Sequence, residues 1–523
     1  MKFASKRNFS VIFLLVLLLT ILKQININIT YSSIINNEQL LLDNSIERLC
    51  ISTQFIQNDS YILHNPISIY ENDDFISYGF PGNGTEENPY RIENYNITTD
   101  SDYGIFVGGV TDFFVVQHCF VNAQNYGIKI AAHSYTGRIY DNICCNSTTG
   151  IYISGGSSTI INNTCYYNKN GIVLTIKSLV INNNCCYNEY GIVIDNRYSV
   201  VKDNLCYNNT KSGIYLDRHS DFTAVLNNEV YSNKEGIHLE ESQECNISQN
   251  TLSSNFEGGI RIYKSQNSSI LSNIFTNDSF VIEFGLDLRS SINYTIENNL
   301  VNGKPLGFFA NLTKFTISED YGQILMINCT KGIIADQHFS NTLYGISLFD
   351  CSQIHIKNCF FESNFGSGIR IEWSLSLLIY SNNFTRNYIG VLDLQGSNRI
   401  VYNNFIENAN YAISAIINPP TIHHNNFIDN NQNGSTQAYS ESPQTTWYDK
   451  STLEGNYWSD WDGEGTYKIG SSSDLFPLSE PVENFPTDLP LAWTKTATTR
   501  TSFPIEILLC LALFPFVFKR RKN

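Results

Sequence analysis

The sequence predicts an all-β chain, a single parallel β-helix solenoid of about 14 coils with a cap at each end. Three observations predict it. Glycines recur at Gly127, Gly150, Gly171, Gly191, Gly213, Gly236 and Gly259, in steps of 23, 21, 20, 22, 23 and 23 residues. Each opens a short run in which apolar and polar residues alternate, as in Gly150-Ile151-Tyr152-Ile153, and a period of two is the mark of a strand. No window carries an apolar stripe at helical spacing for two turns, and the L-x-x-L-x-L signature of leucine-rich repeats is missing. Units of about 22 residues cannot bury their apolar faces alone, so they stack.

Two columns run through the repeats. An inward column reads Cys119, Ile143, Cys165, Cys185, Cys206, Val230, Leu252 and Phe275, and resumes as Phe339, Phe361, Phe384, Phe405 and Phe427. Three residues later stands an Asn column: Asn122, Asn146, Asn168, Asn188, Asn209, Asn233 and Asn255, then Asp278, then Asn364, Asn387, Asn408 and Asn430. Asn tolerates the left-handed backbone conformation, which assigns this column to the inner side of a turn, its amides bonding the coils above and below. A sugar-binding row is the alternative reading. For Cys119, Cys165, Cys185 and Cys206 the leading reading is a stacked ladder of small hydrophobes. Adjacent coils also bring Cys165–Cys185 or Cys185–Cys206 within disulfide range, and a metal site lacks C-x-x-C spacing and a His partner.

Taken in order, residues 1–23 read as a signal peptide or N-terminal anchor. Lys2, Lys6 and Arg7 precede the apolar run Val11–Leu22. Residues 24–100 form an entry region and N-terminal cap, and 101–437 the β-helix. The column step from Leu300 to Phe339 is 39 residues, nearly two periods, which places an insertion near 303–321. Residues 438–480, with Trp447, Trp458 and Trp461, close the other end. Residues 481–504, rich in Pro, Thr and Ser, read as a linker. Residues 505–523 read as a C-terminal membrane anchor, an apolar run followed by Lys519-Arg520-Arg521-Lys522.

A net charge of −16 argues against nucleic acid, which selects a basic face. Asn-x-Ser/Thr acceptor sequences for glycans are numerous, among them Asn96, Asn146, Asn162, Asn208, Asn246 and Asn383.

Three further motifs carry a resemblance. They are Gly82-Asn83-Gly84-Thr85-Glu86-Glu87-Asn88-Pro89-Tyr90-Arg91-Ile92, then Asn302-Gly303-Lys304-Pro305-Leu306 followed by Gly322–Cys329, and the closing Gly455-Asn456-Tyr457-Trp458-Ser459-Asp460. Together with the coils, over residues 80–480, they resemble archaeal NosD-like proteins, a right-handed parallel β-helix family also described as carbohydrate-binding and sugar-hydrolase repeats. The resemblance implies a right-handed coil and a carbohydrate-related role. It also brings a copper-related label, but copper transfer favours clustered Met, His or exposed Cys, and this chain has 2 Met and 9 scattered His.

The resulting expectation is an exported, membrane-tethered cell-surface protein. It binds extracellular or envelope carbohydrate, or acts in adhesion. A polysaccharide lyase or hydrolase is the alternative, against which the N-T-D, G-H-G, R-I-K and D-P-H signatures of such enzymes are absent, and an accessory protein for copper-enzyme maturation, which the resemblance implies, is the remaining one. Asp287, Arg289, Arg370 and Glu372 lie on strand runs after the Gly column and read as solvated positions. The carbohydrate site is placed at Trp447, Trp458, Asp460 and Trp461, where rings stack on sugar faces and Asp bonds hydroxyls, with a hydrophobic end cap as the competing reading. Asp460, Asp462 and Glu464 are the remnant of a Ca²⁺ loop that the resemblance implies. No other cofactor is expected.

Overall fold

The computed structural model describes residues 61–132, 137–283, 293–432 and 434–490. The expected signal segment and membrane anchor lie outside these residues. Among the described residues no helix is long and apolar enough to cross a membrane.

The chain winds as a parallel β-helix with three strands per coil. The Gly-Ile runs form one sheet, ten strands in the first run from Ile67–Ile69 to Phe280–Glu283. A second sheet carries the Cys and Phe column, and we call it the core-file sheet. A third sheet of ten strands, from Tyr90–Glu93 to Thr295–Glu297, completes each coil. After a seam near Gly303 the third and core-file sheets resume with six strands each. The Gly column has a steric cause: a Cβ on Gly171 would collide with the carbonyl oxygen of Gly191 one coil on, so the close approach there demands glycine.

The inward file holds, with a register correction at its start. Cys165, Cys185 and Cys206 pair in sequence, but the residue below Cys165 is Cys144, and below that Val121. Cys119 and Ile143 do not belong to the file: Ile143 is one residue off, which turns a strand residue to the opposite face, and Cys119 lies two residues before Val121, ahead of the strand and buried. All eleven described cysteines are buried. In the second run Phe361, Phe384, Phe405 and Phe427 stack with centroids 4.7–5.2 Å apart.

Two buried files of Asn flank the core-file strand, one on each side. The first is the expected one, Asn168, Asn188, Asn209, Asn233 and Asn255, ending on Asp278. It begins at Ser147, which replaces the expected Asn146. The second runs Asn142, Asn163, Asn183, Asn204, Asn228, Asn250, Asn273 and Asn299. Cys119 stands at its start, its N–H donating to Asn142 Oδ1 at 3.0 Å. Each amide oxygen accepts from the N–H and the Nδ2 of the coil before, as Asn188 does from Asn168 at 2.9 and 3.1 Å. Each Nδ2 also donates to a backbone carbonyl, as Asn188 does to Cys165 at 3.0 Å. The left-handed residue is not the ladder Asn but its predecessor: Asn162 before Asn163, Tyr187 before Asn188, Asn208 before Asn209. The corner turns outward and the ladder Asn points in.

The coil begins earlier than the expected boundary, because Ile67–Ile69, Tyr90–Glu93 and Tyr95–Thr98 already pair with the next coil. Helix Asn72–Ser77 closes that end, laying buried Phe75 on Tyr90 at 4.7 Å. Residues 303–321 are not a decorating insertion. Gly303, at φ +80°, turns the chain back, and Lys304–Ala310 and Thr313–Ile317 form the first, short coil of the second run, Thr313 pairing Thr330 17 residues on. At the seam the Gln323 side-chain amide replaces a strand partner. It accepts from Phe280 N–H and donates to Phe280 O, both at 3.0 Å.

The start of the expected linker is packed along the second run. Val482 exchanges bonds of 2.8 and 3.0 Å with the Asn426 amide. Ser381 Oγ donates to Pro486 O at 2.8 Å, Lys357 pairs with Asp488, and Leu489 packs on Leu378, Tyr380 and Val401.

Two outcomes test the ladders. Asn188→Ala leaves buried groups unpaired and costs roughly 2–5 kcal/mol in denaturant unfolding, while Asn146→Ala, exposed at a corner, costs under about 0.5 kcal/mol; equal losses contradict the ladder. Burial pushes Asp278 up to about 7 against the amides of Asn255 and Ser279. Its unfolded pKa is about 3.9, so the penalty of the charged form grows from pH 4 to pH 7. Asp278→Asn continues the ladder and gains on the order of 2–4 kcal/mol at pH 8, a gain absent at pH 4.

Candidate functional site on the outer face of the Gly-Ile sheet

The third residue of each Gly-Ile-x-apolar run points outward. Read in register, that column is Phe106, Lys129, Tyr152, Val173, Val193, Tyr215, His238, Arg261 and Val281. Tyr103 and Tyr126 pair in a neighbouring outward column. Their rings lie 5.6 Å apart, and Tyr126 and Tyr152 lie 5.1 Å apart. Lys129 sets its ammonium 4.8–5.5 Å from all three rings, a contact that fixes them on the face. Phe106 and the exposed Tyr70 extend the aromatic row.

Toward the seam the row gives way to charges. Arg261 bonds Glu235 and Glu257 through Nη1, both at 2.8 Å, and Glu283 through Nη2, twice at 2.9 Å. Glu235 also takes His238 Nδ1 at 2.7 Å and Ser212 Oγ at 2.9 Å. Glu283 reaches 3.9 Å to Arg370 of the second run, which pairs with Glu372 and lies 4.7 Å over the Tyr344 ring. Burial alone would raise Glu235, but the hydrogen bond and charge of His238 and the charge of Arg261 outweigh it and hold Glu235 near 2. Glu283 is likewise lowered, against burial, by Arg261 and Arg370. His238 Nε2 and Arg261 Nε are buried without a protein partner. Glu235 and Glu283, lowered in this way, accept hydrogen bonds and are not proton donors near neutral pH.

Sequence reasoning missed this constellation because its acids do not share a column. Glu235 starts a strand, Glu257 sits in a corner and Glu283 ends a strand; Arg261 joins them. The x column was readable and held the rest. Arg370 and Glu372 are here, in an ion network and not freely solvated; Asp287 and Arg289 lie outside the described residues.

The sites placed in the closing segment are corrected. Trp447 and Trp458 are buried, and a ring with no free face offers none to a sugar. Trp458 is sandwiched between Phe427 and Tyr467, each at 4.1 Å, and continues the Phe file. Asn456 and Gln437 end the second run's two amide files, and Asp474 and Asp460 supply their last acceptors. Asp460 is further bound by Tyr467 OH at 3.0 Å. Trp461, half-buried, donates to Glu464 O at 3.2 Å. Asp462 Oδ1 accepts from the Glu464 N–H at 3.0 Å. Asp460, Asp462 and Glu464 therefore do not converge as a Ca²⁺ loop. Among the described residues no three His, Cys, Asp or Glu side chains are placed to hold a metal.

A right-handed β-helix is the class these coils define. Residues 307–457 match a right-handed β-helix region, and residues 176–306 match the family described as periplasmic copper-binding protein (NosD); the two matches meet at the seam. Together the two matches support a NosD-like right-handed β-helix over residues 176–457. The described sulfur ligands do not fit an accessible copper site. The thiols are buried, and Met326 is in the core. No curated protein matches the chain. Solved structures similar to it include a periplasmic alginate epimerase, at 15% identity over 78% of this chain and 87% of that one, TM-score 0.30. An α-1,3-glucanase from Streptomyces thermodiastaticus matches at 11% over 80% and 71%, TM-score 0.31. An alginate lyase matches at 9% over 82% and 95%, TM-score 0.29. Likenesses this distant assign no activity and no substrate.

The ion cluster has a pH signature. Glu235 lies below the ordinary carboxylate value of about 4.3, so its contribution is present above that pH and lost as pH falls toward 2. Arg261→Met, which removes the cation shared by three carboxylates and leaves them only Lys234, His238 and Arg370, costs on the order of 3 kcal/mol at pH 7. The gap to the wild type narrows as denaturation is repeated from pH 5 down to pH 3; a gap constant with pH contradicts the network.

Proposed function

We propose that this chain binds extended carbohydrate along the outer face of the Gly-Ile sheet. One observation carries the reading: Tyr103, Tyr126 and Tyr152, from two neighbouring outward columns, cluster at ring spacings of 5.1–5.6 Å, and the same face continues into the Arg261 cluster. A tyrosine ring offers an apolar face to a sugar's C–H face and a polar tip to its hydroxyls. The coil spacing of roughly 4.8 Å repeats that offer along the axis, which suits a linear polymer lying along the solenoid. Arg261, Arg370 and the carboxylates around them present paired donors and acceptors to vicinal hydroxyls at the row's end.

Export belongs to the same proposal. The N-terminal basic-apolar segment supports it, and the C-terminal apolar run with its basic tail supports tethering to a membrane. The partner is then an envelope or extracellular polysaccharide.

A glycan array on the purified chain, followed by calorimetry on the best polysaccharide, tests the assignment. Tyr126→Ala and Tyr152→Ala each weaken binding roughly tenfold, and Leu453→Ala, exposed in the C-terminal cap, leaves it unchanged. Equal affinity in the tyrosine variants overturns the site. Shortening of the polymer in the same mixture moves the assignment to a polysaccharide lyase or hydrolase.

A further inference from the structure

The outer face of the core-file sheet carries a hollow of about 370 Å³ in the second run, lined by His338, Phe360, Glu362, Asn383 and Thr385. Its floor is Phe360, 52% exposed, in the outward column His338, Phe360, Asn383, Asn404 and Asn426. Burial does not explain a phenyl ring displayed this way on a strand.

The column above it is an exterior amide file. Asn426 Nδ2 donates to Asn404 Oδ1, and Asn404 Nδ2 to Asn383 Oδ1, both at 2.8 Å. At the next step down stands Phe360, which has no acceptor. Among the described residues no side chain or carbonyl accepts from Asn383 Nδ2, so the file ends in an open donor facing the hollow. The strand is Asn383-Phe384-Thr385. Alternation sends Phe384 into the core and leaves Asn383 and Thr385 side by side on the hollow, the arrangement of a glycan acceptor triplet. Arg386 pairs with Glu362 at the rim, and His338 Nε2 lies 3.6 Å from Glu362.

We propose that Asn383 is an N-glycosylation site whose first sugar seats in this hollow, its apolar face on Phe360 and its polar groups toward Glu362, Arg386 and His338. A ring attached at Asn383 lies over the neighbouring coil, roughly 4.8 Å away, where Phe360 presents its face. The donor is a lipid-linked glycosyl diphosphate used by a membrane oligosaccharide transferase. The Asn383 Nδ2–C1 bond forms as the C1–oxygen bond to the diphosphate breaks. The amide proton passes to a base of the transferase, and the lipid diphosphate leaves with the bonding pair. The site shares with the proposed function only the premise of export, and it lies on a different sheet from the tyrosine row.

The full chain behind a host leader, secreted from cells that N-glycosylate, tests this by glycopeptide mass spectrometry and thermal unfolding. Supplying the leader separates this test from the export premise. Asn383 carries glycan in the wild type and in Thr385→Ser, and none in Thr385→Ala. Phe360→Ala lowers the unfolding midpoint by at least about 2 °C more in the Thr385→Ser background than in Thr385→Ala. An unmodified Asn383 beside modified Asn146 or Asn162 overturns the proposal, as does a chain bare at every acceptor. Equal Phe360→Ala effects in both backgrounds overturn the seating. Capture of free saccharide at Phe360 by the unglycosylated chain makes the hollow a receptor and overturns attachment.

Discussion

The buried asparagine files are the constraint on which this molecule depends. A coil of about 22 residues turns three corners, and each corner buries peptide groups that no strand can pair. An Asn amide repairs this in both directions: its oxygen takes an N–H from the coil below, and its nitrogen reaches a carbonyl. The repair works only if the next coil supplies another Asn in register. Stacking is therefore cooperative, and a file ends either on an Asn whose amide finds only carbonyls, as Asn299 does with Ile270 O and Glu297 O, or on a group that accepts the last amide. Asp278, Asp474 and the Gln437–Asp460 pair are the accepting termini. The closing Gly-Asn-Tyr-Trp-Ser-Asp segment has a structural reason to exist: it ends two amide files and one aromatic file together.

This framework also explains where function is free to vary. The inward positions are held by the Cys, Phe and aliphatic files, and the corners by the ladders. Only the outward strand positions escape these demands. On the Gly-Ile sheet they carry a tyrosine row with a lysine over it and then a network of arginines, carboxylates and a histidine. A stack of in-register coils acts as a ruler, presenting side chains at a repeat set by backbone hydrogen bonds. Groups far apart in sequence, such as Glu235, Glu283 and Arg370, become neighbours along one line across the seam.

Much of this was legible in the sequence, and the failures have physical causes. The period, the Gly column and the Phe file were readable because steric and apolar demands fix residue type at those positions. The start of the columns was misread by two places at Cys119 and by one at Ile143, Asn122 and Asn146, because Ile143, Cys144 and Cys145 are all acceptable strand residues and nothing local sets the register. The second amide file was hidden in plain view, since the Asn two places before each inward residue, as in Asn183-Asn184-Cys185, looks like ordinary corner composition. The cap tryptophans showed the right location and the wrong exposure. The charge cluster was not legible at all, because its members come from a strand start, a corner and a strand end, and only the folded coil joins them. The strap over Leu378 and Tyr380 was concealed by a Pro-rich composition that suggests a linker.

Hydrogen exchange at asparagine side-chain amides, followed by NMR on selectively Asn-labelled protein, tests the central claim most directly. Ladder amides such as Asn163, Asn188 and Asn228 must exchange slowly and as a cooperative block, while corner amides such as Asn146, Asn162 and Asn182 exchange at solvent rates. A single population, with every asparagine amide exchanging alike, would contradict the account.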